Sequence, residues 1–423
     1  MRIRNTAAAV ALLSCSASAA LASGFMVREK SAESVGMVFA GDASRADEAA
    51  TVFNNPAGMI RLAPEVEGTI AGVLPHIHFT GSATAAGVLP ITGDQGGQPG
   101  QSTGVPALFG VFGINPDIKV GIAVTVPFGL EINYGPNFVG RYQGIKLRAL
   151  SADINPAVAW RVNDKVSIGA GISAQWFKVE QSAAIPQFLI LQAPVPDASF
   201  LFNGSDWGIG YNFGLLLSPN DTTRLGFTYR SGVNHKPKGS LDFTGASPFL
   251  GLANSAATAS GLDLPGTFAA SFTHDWTPQF SASAELQYNM WSSFKSVTVA
   301  SAGPPLTQLE HYRDSWMFTA GGMYHWTPAL TLRGGLGWDQ TPVTDLYRTV
   351  GVPDADRYMI GIGAGYTFAP GTVVDFGFTH YFGKDPTVTG SVNSIDPFTH
   401  AIVLTGKYHN SLDFVTASIR FAL

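Results

Sequence analysis

Residues Gln279 to Met290 read "QFSASAELQYNM", and their alternation is complete. Phe280, Ala282, Ala284, Leu286, Tyr288 and Met290 fall on one side, and Gln279, Ser281, Ser283, Glu285, Gln287 and Asn289 on the other. A period of two residues belongs to an extended strand, whose successive side chains point to opposite faces. The split recurs in "KVSIGAGISAQW", where Val166, Ile168, Ala170, Ile172, Ala174 and Trp176 oppose Ser167, Gly169, Gly171, Ser173 and Gln175. It recurs in "ALTLRGGLGWD", with Leu330, Leu332, Leu336 and Trp338 against Thr331, Arg333 and Asp339. Strands of about ten residues with one wholly apolar face are what a tilted membrane-crossing β-strand requires.

Composition separates this from a soluble β-protein. Charged residues make up 13% of the chain, about half the usual share. Beyond the N-terminus no run of 18 or more apolar residues occurs, which excludes membrane-spanning helices. The closed barrel is the remaining membrane architecture, because its strands pair all their own backbone groups. A soluble sandwich also alternates, but three features favour the barrel. Very short turns such as "RVNDKV" and "FAPGT" contrast with long connections at Pro186 to Ser205 and Ser240 to Gly266. Aromatic residues gather at strand ends, at "HDWTP" around Trp276 and "YHWTP" around Trp326, as in an interfacial girdle. The chain stops on a strand, with Val415, Ala417, Ile419, Phe421 and Leu423 forming an apolar stripe. The expected fold is all-β: a transmembrane antiparallel barrel of about 14 strands, the first near residues 66–80 and the last near 411–423.

The chain opens with Arg2 and Arg4 ahead of an apolar run, followed by Ala20-Leu21-Ala22. This is the pattern of a secretory signal peptide over residues 1–22, cut after Ala22. The alternative is a lipoprotein box ending at Cys15. A cut after Ala22 leaves 423 − 22 = 401 residues without cysteine, since Cys15 is the only one, and so without disulfides or thiolate metal sites. Removing Arg2 and Arg4 from 25 basic residues leaves 23 against 30 acidic ones, a balance that does not suggest nucleic acid.

Residues 23–64 do not alternate. "GDASRADEAATVFNNPAGMIRL" reads as a short helical stretch around Ala46 to Val52, then Asn55 as a cap with Pro56 at the first helical position. The barrel is expected over residues 65–423. Its strands would enclose a lumen that needs filling.

No catalytic constellation stands out: Gly-x-Ser-x-Gly, Walker and His-Glu-x-x-His motifs are absent. No cofactor or metal site is expected. His76 and His78 share one side of a strand, and two histidines without a third ligand read as structural. "GIGAGY" at Gly361 to Tyr366 lacks the strand-to-helix context of a dinucleotide site. "PDADRY" at Pro353 to Tyr358 reads as a solvated turn with an internal salt bridge. For an anionic headgroup, cations facing the lumen would serve, because arginine pairs carboxylates directionally. Arg230 and Arg333 fall on the polar side of their strands, as does Arg224, and Arg141 and Lys178 lie near strand ends.

Several segments resemble one known family in order along nearly the whole chain. They are "SGF" at the expected mature N-terminus, "AGDASRADEAATVFNNPAG" from Ala40, "VPFGLEINYGPNFVGRYQG" from Val126, "LSADINPAVAWRVNDKVSIGAGISAQW" from Leu150, "LGFTYRS" from Leu225 and "LRGGLGWDQTPVTDLYRTVGVPDADRYMIGIGAGYTF" from Leu332. The chain is similar to FadL/TodX outer-membrane transporters of long-chain fatty acids and other hydrophobic compounds. The resemblance implies 14 strands and an N-terminal hatch inside the lumen carrying Asn55, Pro56 and Ala57, with Gly24 and Phe25 near an internal apolar pocket. It implies a substrate that leaves sideways through the barrel wall, at a bend for which Pro127, Pro156 and Gly121 are candidates. The implied partners are a hydrophobic small molecule and the lipid and lipopolysaccharide of the outer membrane, for a monomer. Gln181 stands where the family can carry arginine, which leaves aromatic or alkane hydrocarbons open as substrates. A general porin or an outer-membrane enzyme are the remaining alternatives.

Overall fold

The computed structural model describes residues 24–390 and 402–423; the expected signal peptide and its cleavage site lie outside them. Fourteen antiparallel strands close into a barrel. They are β1 (Glu65–Ala85), β2 (Thr103–Asn115), β3 (Ile118–Thr125 and Gly129–Asn133), β4 (Lys146–Asn163) and β5 (Val166–Ile185). Then come β6 (Ala198–Asn220), β7 (Thr223–Arg230 and Lys238–Thr244), β8 (Ser255–Ser260 and Thr267–Asp275) and β9 (Phe280–Asn289 and Ser296–Ala300). The last are β10 (Leu306–Leu309 and Ser315–His325), β11 (Leu330–Asp339), β12 (Arg357–Ala369), β13 (Thr372–Gly383 and Thr387–Gly390) and β14 (Ile402–Ala422). Each strand pairs with its sequence neighbour, and β14 closes on β1 from Glu65 opposite Ala422 to Ala85 opposite Ile402. Closure removes the sheet edge that lipid could not tolerate.

The burial pattern is that of a soluble protein turned inside out. Phe280, Leu286, Ile172, Leu336, Val415 and Phe421 are exposed, while Ser283, Glu285, Ser173, Gln175, Arg333 and Asp339 are buried. The apolar set therefore faces lipid and the polar set the lumen, as the alternation requires. Trp276 and Trp326 project at the turn end of the strands, and Trp207, Trp316 and Tyr358 toward the loop end. These two rings mark the membrane interfaces. Strands run well past the upper ring: Ala198 to Ser205, expected as loop, is the start of β6, and Ser240 to Gly266 contains parts of β7 and β8. Long solvent-side extensions carry few apolar residues on their outer face, which hides them from a membrane-period reading.

The N-terminal segment folds inside. Helix α1 (Ala32–Gly36) is capped by the Ser31 hydroxyl, which accepts from the Ser34 amide. Helix α2 (Thr51–Asn54) begins five residues later than the sequence suggests, because Ala46 adopts a left-handed φ of 53°. A 3-10 helix, Pro56–Arg61, follows with Asn55 as its cap and Pro56 at its start, as expected. Almost every residue from Gly24 to Ile60 is buried.

Replacing lipid-facing Leu286 with Arg is expected to lower the barrel's unfolding free energy by about 2–4 kcal/mol if the site lies near the midplane, and by about 0–1 kcal/mol near an interface. Urea titration of the refolded barrel in vesicles measures this.

Candidate functional site

The plug is held to the wall through the polar face of nearly every strand. On the floor, Arg333 of β11 bonds Glu33 of α1 and Asp375 of β13, both at 2.6 Å, and Arg420 of β14 lies 3.3 Å from Asp375. All four are largely or fully buried, and Arg45 adds a contact to Glu33 at 3.7 Å. Removing one partner from such a buried group typically costs about 3–5 kcal/mol, because the remaining charge is left desolvated. Higher up, Arg28 reaches Asp339 at 3.2 Å and Tyr381 donates to Glu29 at 2.5 Å. Arg333, a sequence candidate for a headgroup contact, is thus engaged in the floor.

The Asn-Pro-Ala turn is fully enclosed. Asn55 accepts the Ala57 amide through Oδ1 at 3.1 Å and donates through Nδ2 to the carbonyls of Ala43 at 2.6 Å and Leu215 of β6 at 3.2 Å. Ser167 of β5 donates to the Ala57 carbonyl at 3.1 Å. The wall is flat here for a reason. A Cβ on Gly214 would collide with Asn55 Oδ1, and one on Gly169 would sit 2.5 Å from the Ala57 nitrogen, so only glycine allows the turn to lie against the sheet. Alternating glycines on the lumen face, as in "KVSIGAGISAQW", are the sequence signal for this docking. Gly121, a bend candidate, has the same role: its Cβ would meet Met59 Sδ at 2.5 Å.

At the head of the plug, the Gly24 amide donates to Asp354 at 2.9 Å. Asp354 also accepts from Thr341 at 2.7 Å and lies 3.1 Å from Arg357. The internal salt bridge expected in "PDADRY" exists, but it is buried rather than solvated, because the connection folds over the lumen. The Phe25 ring packs edge-on against Trp291 at 5.1 Å and against Phe128 and Phe294, each at 5.9 Å.

Strand β3 breaks between its two segments, at Val126, Pro127 and Phe128. The β2–β3 ladder stops at Leu108 opposite Val124. Continuing its register would place Pro106 opposite Val126 and Val105 opposite Pro127, and neither proline has an N–H to give. The N-terminal segment pairs there instead. Val27 donates to the Pro127 carbonyl at 2.8 Å, Gly129 donates to the Phe25 carbonyl at 3.0 Å, and Met26 bridges Phe128. Pro156, the other candidate, sits inside β4, whose register with β5 is the same on both sides of it.

Two cavities flank this junction. The lower, of about 90 Å³, is lined by Met26, Phe39, Phe53, Phe128 and Tyr211, with Arg28, Lys30 and Arg230 facing the carboxyl groups of Asp42, Asp153 and Glu285. Arg230 lies 3.6 Å over the Phe53 ring, donates to the Phe53 carbonyl at 2.8 Å and to Asn155 at 3.1 Å, and keeps Nη1 without a hydrogen bond among the described residues. Burial, opposed by Glu29, pulls the Lys30 ammonium down to about 7. The upper cavity, of about 40 Å³, lies among Phe25, Phe177, Leu262 and Phe294, with Gln181, Gln308, Glu310 and Tyr312 as its polar groups. Neither Arg141 nor Lys178 lines either cavity. Arg141 clasps Asp197 at 2.9 Å and the Thr92 carbonyl at 2.8 Å, and Lys178 pairs with Glu180 at 2.8 Å. Arg224 pairs with Asp275 at 2.8 Å. The sequence reading missed Arg28, Lys30, Glu33 and Glu310: the first three lie where no period exists, and Glu310 lies beyond the membrane-crossing part of β10.

Comparison with known proteins agrees with this architecture. Residues 13–422 match the model of the outer membrane protein transport protein family (OMPP1/FadL/TodX). A 47 kDa outer membrane protein of Pasteurella multocida (strain Pm70) is 31% identical over 90% of this chain and 91% of its own length. The long-chain fatty acid transport protein of Escherichia coli (strain K12) is 28% identical over 89% and 91%. Among solved structures, a Pseudomonas aeruginosa FadL homologue superposes with a TM-score of 0.88 at 24% identity, covering 94% of this chain and 99% of that one. The Ralstonia pickettii toluene transporter TbuX gives 0.68 at 19%, covering 94% and 99%. The chain, a closed 14-stranded barrel with lipid-facing walls, belongs to the OMPP1/FadL/TodX family of outer-membrane transport proteins.

Proposed function

We propose that this barrel passes hydrophobic small molecules passively across the outer membrane, and that they leave through the wall at the β3 break rather than through the floor. The observation that carries the reading is the patch of Phe25, Met26 and Val27 over Val126 to Phe128. Withdrawal of these three residues would open the wall, whereas opening the floor requires separating buried ion pairs. A long apolar chain gains about 0.8 kcal/mol per buried methylene, so an apolar cavity leading into lipid suits it better than a wet pore. The lower cavity supports long-chain fatty acids as substrates, with Arg230 Nη1, which has no hydrogen bond among the described residues, open to a carboxylate. The upper cavity supports a second reading, neutral aromatic or alkane hydrocarbons: Gln181 donates to Gln308 at 2.9 Å, and no cation lines it. The apolar belt supports outer-membrane lipid and lipopolysaccharide as the surroundings, and closure within one chain supports a monomer. The reading calls for no catalytic step.

Three outcomes test it. Cells carrying this protein as their only member of the family should take up labelled oleate or toluene well above a strain without it, and equal uptake in the two strains would contradict transport. A cysteine pair at Pro106 and Val126, which would face each other if the β2–β3 register continued, should abolish uptake when oxidised and restore it when reduced. Asn55→Ala leaves two carbonyls and one amide without their partner, at about 1–3 kcal/mol each. It should let sugars swell liposomes that the wild-type barrel keeps sealed.

A further inference from the structure

The upper cavity carries an unfinished hydrogen-bonding pair. Glu310 and Tyr312 are both 4% exposed and both line it. Their backbone replaces the β10 ladder at its break, with the Glu310 and Tyr312 amides bonded to the carbonyls of Lys295 and Phe294, and His311 between them takes a left-handed φ of 41°. A non-glycine residue held there indicates that surrounding structure over-determines the turn. Glu310 Oε1 receives the Gln308 amide at 2.5 Å. Oε2 and the Tyr312 hydroxyl have no hydrogen bond of normal geometry among the described residues, although the two groups are near enough to interact. The rest of the lining is mostly apolar or aromatic, and none of it is basic.

We propose that this cavity selects neutral hydroxyl-bearing hydrophobic molecules, long-chain alcohols and alkylphenols, by bridging their hydroxyl between Glu310 Oε2 and Tyr312. A hydroxyl donates once and accepts twice, so it donates to the carboxyl oxygen and accepts from the phenol. A carboxylate entering the same place meets no cation and a carboxyl group, which makes its desolvation uncompensated. An alkane fits the walls but leaves Glu310 Oε2 and the Tyr312 hydroxyl with only their poorly aligned contact to each other. The inference rests on the transport reading above and adds a substrate class to those considered there.

The test measures uptake of radiolabelled 1-dodecanol, dodecane and dodecanoate in cells lacking other members of the family. The cells carry wild-type protein, Glu310→Leu, Glu310→Gln or Tyr312→Phe, each checked for a folded barrel by heat-modifiable mobility. Glu310→Leu is expected to lower the dodecanol-to-dodecane ratio about tenfold, and Glu310→Gln, which keeps an accepting oxygen, to retain most of it. Tyr312→Phe should lower the ratio severalfold, and dodecanoate uptake should change little in all three. If the ratio is unchanged in Glu310→Leu, or all three substrates fall together, the hydroxyl site is refuted while transport stands. If wild-type cells take up none of the three, the transport reading fails as well.

Discussion

Backbone groups at membrane depth must be paired, because lipid offers them nothing. In most of this barrel the neighbouring strand meets that demand. At Val126 to Phe128 it does not, since prolines on both sides of the β2–β3 seam lack the donors a ladder needs. The N-terminal residues take over, and the plug thereby becomes part of the wall. The break faces β2 residues whose partners in β1 are Ile70 to Gly72. Ile70 is lipid-exposed, which sets the break at membrane depth.

Two parts of the plug are held by different physics. Its floor is tied by Glu33, Arg333, Asp375 and Arg420 and by the enclosed Asn55 turn, where losing any single partner strands a buried charge or polar group. Its first residues are tied by two backbone hydrogen bonds, one bond to Asp354 and the packing of Phe25 among aromatic rings. A ligand that competes for the aromatic packing competes only with the second set. The proposed exit through the wall therefore leaves the ion pairs of the floor intact.

Much of this could be read from the sequence. The strict alternation at Gln279 to Met290 gives both the strand and the face turned to lipid, because membrane and lumen are chemically opposite. The Asn55 cap and Pro56 start are local and were equally legible. The headgroup candidates were not: Arg333 and Arg230 are both on the polar side, but of the two only Arg230 lines one of the two cavities beside the β3 break, and the difference lies in what the aperiodic plug brings beside each. The cations of the plug itself, Arg28 and Lys30, have no period to place them. Helix α2 begins late because Ala46 takes a left-handed conformation, which local propensity does not encode for alanine.

The proposed exit runs through the β2–β3 seam and not through the floor. A photoactivatable hydrophobic ligand, loaded into cells and cross-linked during transport, reports it directly once the labelled peptides are mapped. Labels on Gly104 to Ala107 and Val126 to Phe128, with none on Arg333, Asp375 or Arg420, are the expected result. Labels concentrated on the floor residues, with the β2–β3 seam unmarked, would rule out exit through the wall.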